Sequence, residues 1–191
     1  MQAQTLDKPH LVCPWWLGYL LASPVRKLIQ DPSKILSGHV RPGMTVLEPG
    51  PGMGFFTLEL ARLAGSSGRV IAVDIQPRML DRLRRRAAKA GVSGSVETRV
   101  AAPDSLAIAD LAGQVDFILA FAVVHELPSA AAFFREVFGA AKSGARLLFV
   151  EPAGHVSDAA FQAEIDAARD AGFKLADTLT LRRSHAVVLE K

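Results

Sequence analysis

The stretch that decides the fold is Val46-Leu47-Glu48-Pro49-Gly50-Pro51-Gly52-Met53-Gly54. It joins a short apolar run to an acid and then to three alternate glycines, ahead of a segment from Phe55 that has helical character. Glycine takes backbone conformations closed to other residues and lets a ligand approach without meeting a Cβ. A helix behind it offers N–H groups with no partner inside the helix. The spacing decides what such a loop holds. A dinucleotide site uses G-x-G-x-x-G/A, with a pyrophosphate over the helix N-terminus and a third small residue for tight packing. Gly50 and Gly52 fit that pattern, but the third position is Phe55. A bulky ring there, with Glu48 just before the loop, argues against a pyrophosphate and for a ligand that carries an amine.

About twenty residues beyond the loop, a second apolar run, 69–74, ends at Asp74, whose carboxylate can accept hydrogen bonds from both hydroxyls of a ribose. Loop and acid together suit an adenosine. Strand signals at 45–48, 69–74, 95–100, 115–121 and 146–151 alternate with helix signals at 55–63, 77–90, 129–142 and 158–171. That alternation is the pattern of βαβ units on a parallel sheet. Two further strands, 173–181 and 185–190, close the chain. Upstream, Asp31-Pro32 has the form of an N-cap with proline at the first helical position, opening a short helix through His39 before the Pro42-Gly43 turn.

Half of the 191 residues are hydrophobic and the mean hydropathy is +0.23, which suits a sheet buried on both faces, where strands are continuous apolar runs. The single Cys13 cannot form an internal disulfide, and no Cys/His cluster has zinc-ligand spacing, so no metal is expected. The first ten residues lack a secretory pattern. The apolar segment 11–25 is broken by Pro14 and Pro24 and is shorter than the roughly 20 residues that span a bilayer. A cytoplasmic protein without a transmembrane segment is the expectation. The net charge of +3 owes much to Arg82, Arg84, Arg85, Arg86 and Lys89 on one helix. Such a cluster is either a solvated face or a contact for an anionic partner such as RNA.

The segment 46–54 resembles the first signature of class I S-adenosylmethionine-dependent methyltransferases, and Asp74 matches the acid that ends their second strand. The resemblance covers residues 45–191. It implies an α/β fold: a Rossmann-like seven-stranded, mostly parallel sheet with helices on both faces and a C-terminal antiparallel strand. S-adenosyl-L-methionine is then the cofactor and S-adenosyl-L-homocysteine the product. Glu48 and the glycines Gly50, Gly52 and Gly54 would face the methionine moiety, Asp74 the ribose and Ile75 the adenine. Residues 117–128 resemble the strand-four segment of the family's small-molecule branch, which places Ala120 and Phe121 beside the cofactor. Two features depart from the family. Pro49 and Pro51 stiffen the loop, and Ala102 stands where many relatives have an acid that bonds the adenine amino group, so backbone groups around Ala101 and Ala102 are expected to hold the base.

Outside the cofactor loop the readings stay open. His125 suits proton removal from a nucleophile, its unperturbed pKa lying near 6.5; it equally suits tying down the loop after strand four. Glu151 closes strand five at the carboxyl edge of the sheet, where ligands bind in such folds, and is a candidate for the pocket rim or a cap for the next turn. Residues 1–43 form a helical lid segment within the same domain as 44–191, and Trp16 and Tyr19 are candidates for contact with the acceptor. Because a sulfonium methyl is already activated, no essential catalytic residue is assigned. A compact chain without a further recognition domain points to a small-molecule acceptor, while the arginine helix keeps RNA open. The competing functions are an NAD-dependent oxidoreductase, a non-catalytic adenosyl-binding module, and an interaction protein that uses residues 11–25 at a membrane surface.

Overall fold

The computed structural model describes residues 30–191. Asp31 caps the short helix α1 (Pro32–Leu36), its carboxylate accepting from the Ser33 N–H. From there strands and helices alternate: β1 (Thr45–Pro49), α2 (Thr57–Ala64), β2 (Arg69–Asp74), α3 (Pro77–Lys89), β3 (Val96–Val100), β4 (Val115–Phe121), α4 (Ala130–Ala140), β5 (Ala141–Pro152), α5 (Asp158–Asp170), β6 (Lys174–Thr178) and β7 (Ser184–Glu190). The seven strands lie in the order β3-β2-β1-β4-β5-β7-β6. The first five pair in parallel, and β7 runs antiparallel to both β5 and β6. This is the Rossmann-like, mostly parallel seven-stranded sheet implied by the sequence.

Successive strand residues point to opposite faces, and the core divides accordingly. Leu47, Ile71, Ile118, Leu147 and Phe149 pack with Phe133 and Phe134 of α4 and Phe161 of α5. Val46, Val70, Phe117, Leu119 and Leu148 pack with Leu36 of α1 and Leu60 of α2. On α3, Leu80 and Leu83 cover Ala72. Each central strand is therefore buried on both sides, which is why its sequence shows no polar alternation.

Several boundaries differ from the sequence expectation. The helix expected over 129–142 ends at Ala140, and Ala141 is already in strand conformation. The chain entering β4 captures the last helical carbonyls, with the Gly113 and Gln114 N–H groups donating to Gly139 O and Ala140 O, while Lys191 Nζ donates to Phe138 O and Ala141 O. Local helix propensity loses to these long-range partners. Strand β5 consequently starts early and shifts register opposite Val115 and Phe117. Phe55 and Phe56 precede α2 as a buried turn, and β6 stops at Thr178.

Candidate functional site

A cleft of about 880 Å³ runs along the carboxyl edge of the sheet, at the upper end of the ~300–1,000 Å³ usual for small-molecule sites. Its first wall is the loop after β1. The Gly50 N–H still donates to Val73 O across to β2, after which the chain turns away. A Cβ at Gly50 would lie 2.6 Å from Val123 Cγ2, because the loop after β4 comes that close. Gly52 has φ +54, and a Cβ there would meet nothing within 4 Å, projecting into open space at a cleft-lining position. This is the cradle in which a ligand can touch bare backbone.

Two carboxyl groups close this end. Glu48 is only 3% exposed and accepts a hydrogen bond from Thr57 Oγ1 at 2.5 Å. Burial pushes its pKa up to about 8, against the pull of that hydroxyl and with Asp74 adding to the rise. Asp74 accepts from the Gln76 N–H at 2.8 Å and from the Gly52 N–H at 3.2 Å, so it ties the glycine loop to the end of β2. Burial raises it to about 6, opposed by those two amides and reinforced by Glu126. A carboxylate offers about four lone-pair positions, which leaves two for ribose hydroxyls. Ile75 lines the cleft beside it, and the chain after β3 follows with Ala101 and Ala102. Both Ala102 backbone groups are occupied by an exchange with Ser105, and the Ala101 N–H donates to Asp74 O. The backbone groups expected to hold adenine are thus engaged within the protein, and Asp104 lines the cleft two residues further on.

Phe121 ends β4, its ring 4.4 Å from Phe56, which meets Phe55 edge-on at 5.0 Å. The three rings form an apolar block under the cleft. Ala122 follows with φ +56, a conformation that costs a non-glycine residue of order 1–3 kcal/mol and clusters at functional sites. It turns the chain into the Val124–Glu126 helical turn. That turn is anchored by Glu151, which is fully buried. One oxygen of Glu151 accepts from the Val124 and His125 N–H groups, and the other meets His125 Nδ1 at 2.5 Å. The hydrogen bond to Glu151 holds the His125 pKa above its usual value and leaves Nε2 as the nitrogen for other partners. His155 packs edge-on to the His125 ring at 6.0 Å.

Glu48, Gly50, Gly52, Asp74, Ile75, Ala102, Phe121 and His125 therefore line one cleft. Gly54 and Glu151 are not at its wall. Gly54 packs against α3, where a Cβ would lie 2.2 Å from Leu83 Cδ1, and Glu151 acts from beneath through His125. Trp16 and Tyr19 lie outside the described residues. Sequence reasoning missed Thr57, Ala122, His155 and Arg183; none carries a local pattern, since strand pairing or backbone conformation alone brings them to the site. Of the arginine cluster, Arg84 bonds Asp81 and Thr98, and Arg86 donates to Met53 O. Among the described residues no three His, Cys, Asp or Glu side chains are grouped to hold a metal, and no helix is long and apolar enough to cross a membrane.

The bare-backbone cradle and the carboxyl groups of Glu48 and Asp74 fit a cofactor that carries a ribose and an ammonium group, and they disfavour a pyrophosphate beside Asp74. With this strand order, they define a class I S-adenosylmethionine-dependent methyltransferase. The chain belongs to the methyltransferase domain family, whose model matches residues 40–180. It is 33% identical over 112 residues to the ubiquinone/menaquinone biosynthesis C-methyltransferase UbiE of Klebsiella pneumoniae, a match covering 59% of this chain and 44% of that protein. The chain thus spans less than half the length of the curated relatives it matches. A SAM-dependent methyltransferase from Aquifex aeolicus is similar over 93% of this chain and 98% of that one, with TM-score 0.83 and 25% identity. Aeropyrum pernix fibrillarin, with natively bound S-adenosyl-L-methionine, shares the fold at TM-score 0.63 and 20% identity over 92% of this chain and 76% of that one.

Proposed function

We propose that the protein transfers a methyl group from S-adenosylmethionine to a small-molecule acceptor, and that His125 takes the proton the acceptor's nucleophilic atom gives up. The observation that carries this reading is the continuity of one cleft from the acidic glycine-loop wall to the His125–Glu151 pair. S-adenosylmethionine, when bound, supplies a methyl group already activated on a sulfonium. The protein's own residues then bind and orient. Glu48 receives the ammonium, Asp74 the ribose, Ile75 and the Ala101–Ser105 hairpin flank the adenine, and Phe121 covers the apolar side. Placement of the nucleophile accounts for most of the rate. Glu151 holds His125 in the tautomer whose Nε2 accepts the proton, and as neutral imidazole passes to imidazolium the buried carboxylate stabilises the charge.

The curated relatives are named for C-methylation in ubiquinone/menaquinone biosynthesis, which supports a small molecule over RNA. So do the intramolecular contacts of Arg84 and Arg86. The segment before Gln30, with Trp16 and Tyr19, we read as a lid, because Gln30 itself lines the cleft. An acceptor screen that follows S-adenosylhomocysteine formation tests the function. Turnover on a small nucleophile is expected, with the Glu151→Gln variant moving the acidic limb of its pH profile to lower pH, because the carboxylate that raises the His125 pKa is gone. Saturable NAD binding in place of S-adenosylhomocysteine would hand the cleft to an oxidoreductase.

A further inference from the structure

The walls of the cleft are not electrically alike. Its contributors from β1, β2 and β3 include Glu48, Asp74 and Asp104. Those from β5 and β7, on the far side of β4 in the strand order, are Pro152, His155, Arg183 and Ser184. Pro152 pairs with Ser184 across the β5–β7 ladder, which sets Arg183 beside the end of β5. The acidic half complements the cationic cofactor. The opposite half, where the acceptor must lie, carries the cation.

Arg183 is an exposed arginine with two features that bear on the cleft. It has φ +58, a left-handed conformation disfavoured for a side-chain-bearing residue, kept by the Ala153 N–H donating to Arg183 O and the Ser184 N–H donating to Leu181 O. And although it lines the cleft, its guanidinium makes no ion pair or side-chain hydrogen bond with any described residue, in contrast to Arg62, Arg84, Arg99, Arg146 and Arg169. The cleft is also lined by the apolar Val123, Leu127 and Phe133, with His125, Glu126 and Ser129 in the same stretch of chain. A guanidinium at one end of an apolar wall matches a carboxylate in planar, two-point geometry.

We propose that the β5–β7 end of the cleft is an anion subsite, in which Arg183, next to His155, pairs with a carboxylate or comparable anion on an otherwise apolar acceptor. The inference rests on the methyl-transfer reading and adds the chemical class of the acceptor: an apolar, ring-sized body with an ionised group at the end remote from the nucleophile. Charge then sets the orientation, since the anion is drawn to Arg183 and repelled by Asp74, which turns the other end of the acceptor toward His125 and the cofactor.

The test uses the full chain saturated with S-adenosylhomocysteine and two probes alike in ring and hydroxyl, 4-hydroxybenzoate and 4-hydroxybenzamide, titrated by calorimetry. Binding of S-adenosylhomocysteine to the wild type is measured first, and its failure would count against the cofactor reading and not against the subsite. The carboxylate is expected to bind at least tenfold more tightly than the amide, and Arg183→Gln should bring the two within threefold of each other. Arg183→Gly, which relieves the left-handed strain while removing the charge, should lose the preference with no loss of thermal stability, separating recognition from folding. Equal binding of the two probes, no saturable binding of either, or a preference that survives both substitutions would overturn the proposal.

Discussion

Glu48 shows how one side chain can report cofactor binding. With its pKa raised to about 8 by burial, it is mostly protonated at neutral pH, yet an ammonium partner favours the ionised form. Binding of S-adenosylhomocysteine near pH 7 should therefore release a proton, measured as a dependence of the calorimetric enthalpy on buffer ionisation heat, and Glu48→Gln should abolish that dependence. No proton release from the wild type would mean that Glu48 does not meet the amine. Asp74 differs because it has two duties, holding the Gly52 and Gln76 amides and leaving lone pairs for ribose. Asp74→Ala should weaken S-adenosylhomocysteine binding by roughly 1.5–3 kcal/mol, the range for hydrogen bonds to charged groups. A calorimetric loss under threefold would remove it from the site.

At the scale of the element, the loop between β1 and α2 divides its glycines between the cleft and the fold. Gly52→Val places a β-branched side chain at φ +54 in the open cradle, so it should abolish S-adenosylhomocysteine binding. Gly54→Ala drives a methyl into the buried Leu83 at φ +82 and should cost roughly 1–3 kcal/mol of stability while the folded fraction still binds. Denaturation and binding curves on both variants separate the roles; the same phenotype in both would show that the loop acts as one unit. The glycine spacing was legible in the sequence because a tight loop needs it locally. Which glycine faces the cleft and which faces α3 was not, since Leu83 reaches the loop only after the helix packs.

At the scale of the molecule, burial raises three carboxyl groups among the described residues above their ordinary values: Asp74 to about 6, Glu164 to about 7 and Glu48 to about 8. Each binds its proton more tightly folded than unfolded, so the stability it contributes is full below pH ~4 and is lost as pH rises through those values. The melting temperature of the cofactor-free protein should fall between pH ~5 and ~9. Glu164→Gln should flatten the fall around neutrality, because burial and the Glu151 charge raise Glu164 and its buried Oε2 has no hydrogen-bond partner. A melting temperature that rises through this window would contradict the assignment of these groups as buried and protonated.

The sequence by itself determined the cofactor half of this protein. An acid, a glycine loop and a second acid at the end of the next strand are requirements of local backbone geometry and of the ligand, so they are contiguous or at fixed strand spacing. The apolar runs likewise specified a sheet covered on both faces, because a doubly buried strand admits no polar alternation. The half of the cleft we assign to the acceptor was decided by tertiary structure. Glu151 stands 26 residues from the cleft-lining His125 that it holds, and Arg183 belongs to the turn before β7; both arrangements exist only because β4, β5 and β7 are neighbours in the sheet. The early end of α4 has the same origin, since the carbonyls that close it bond to Gly113, Gln114 and Lys191. Neighbouring residues announce a loop or a face, whereas partners joined by strand order leave no local pattern until the chain has folded.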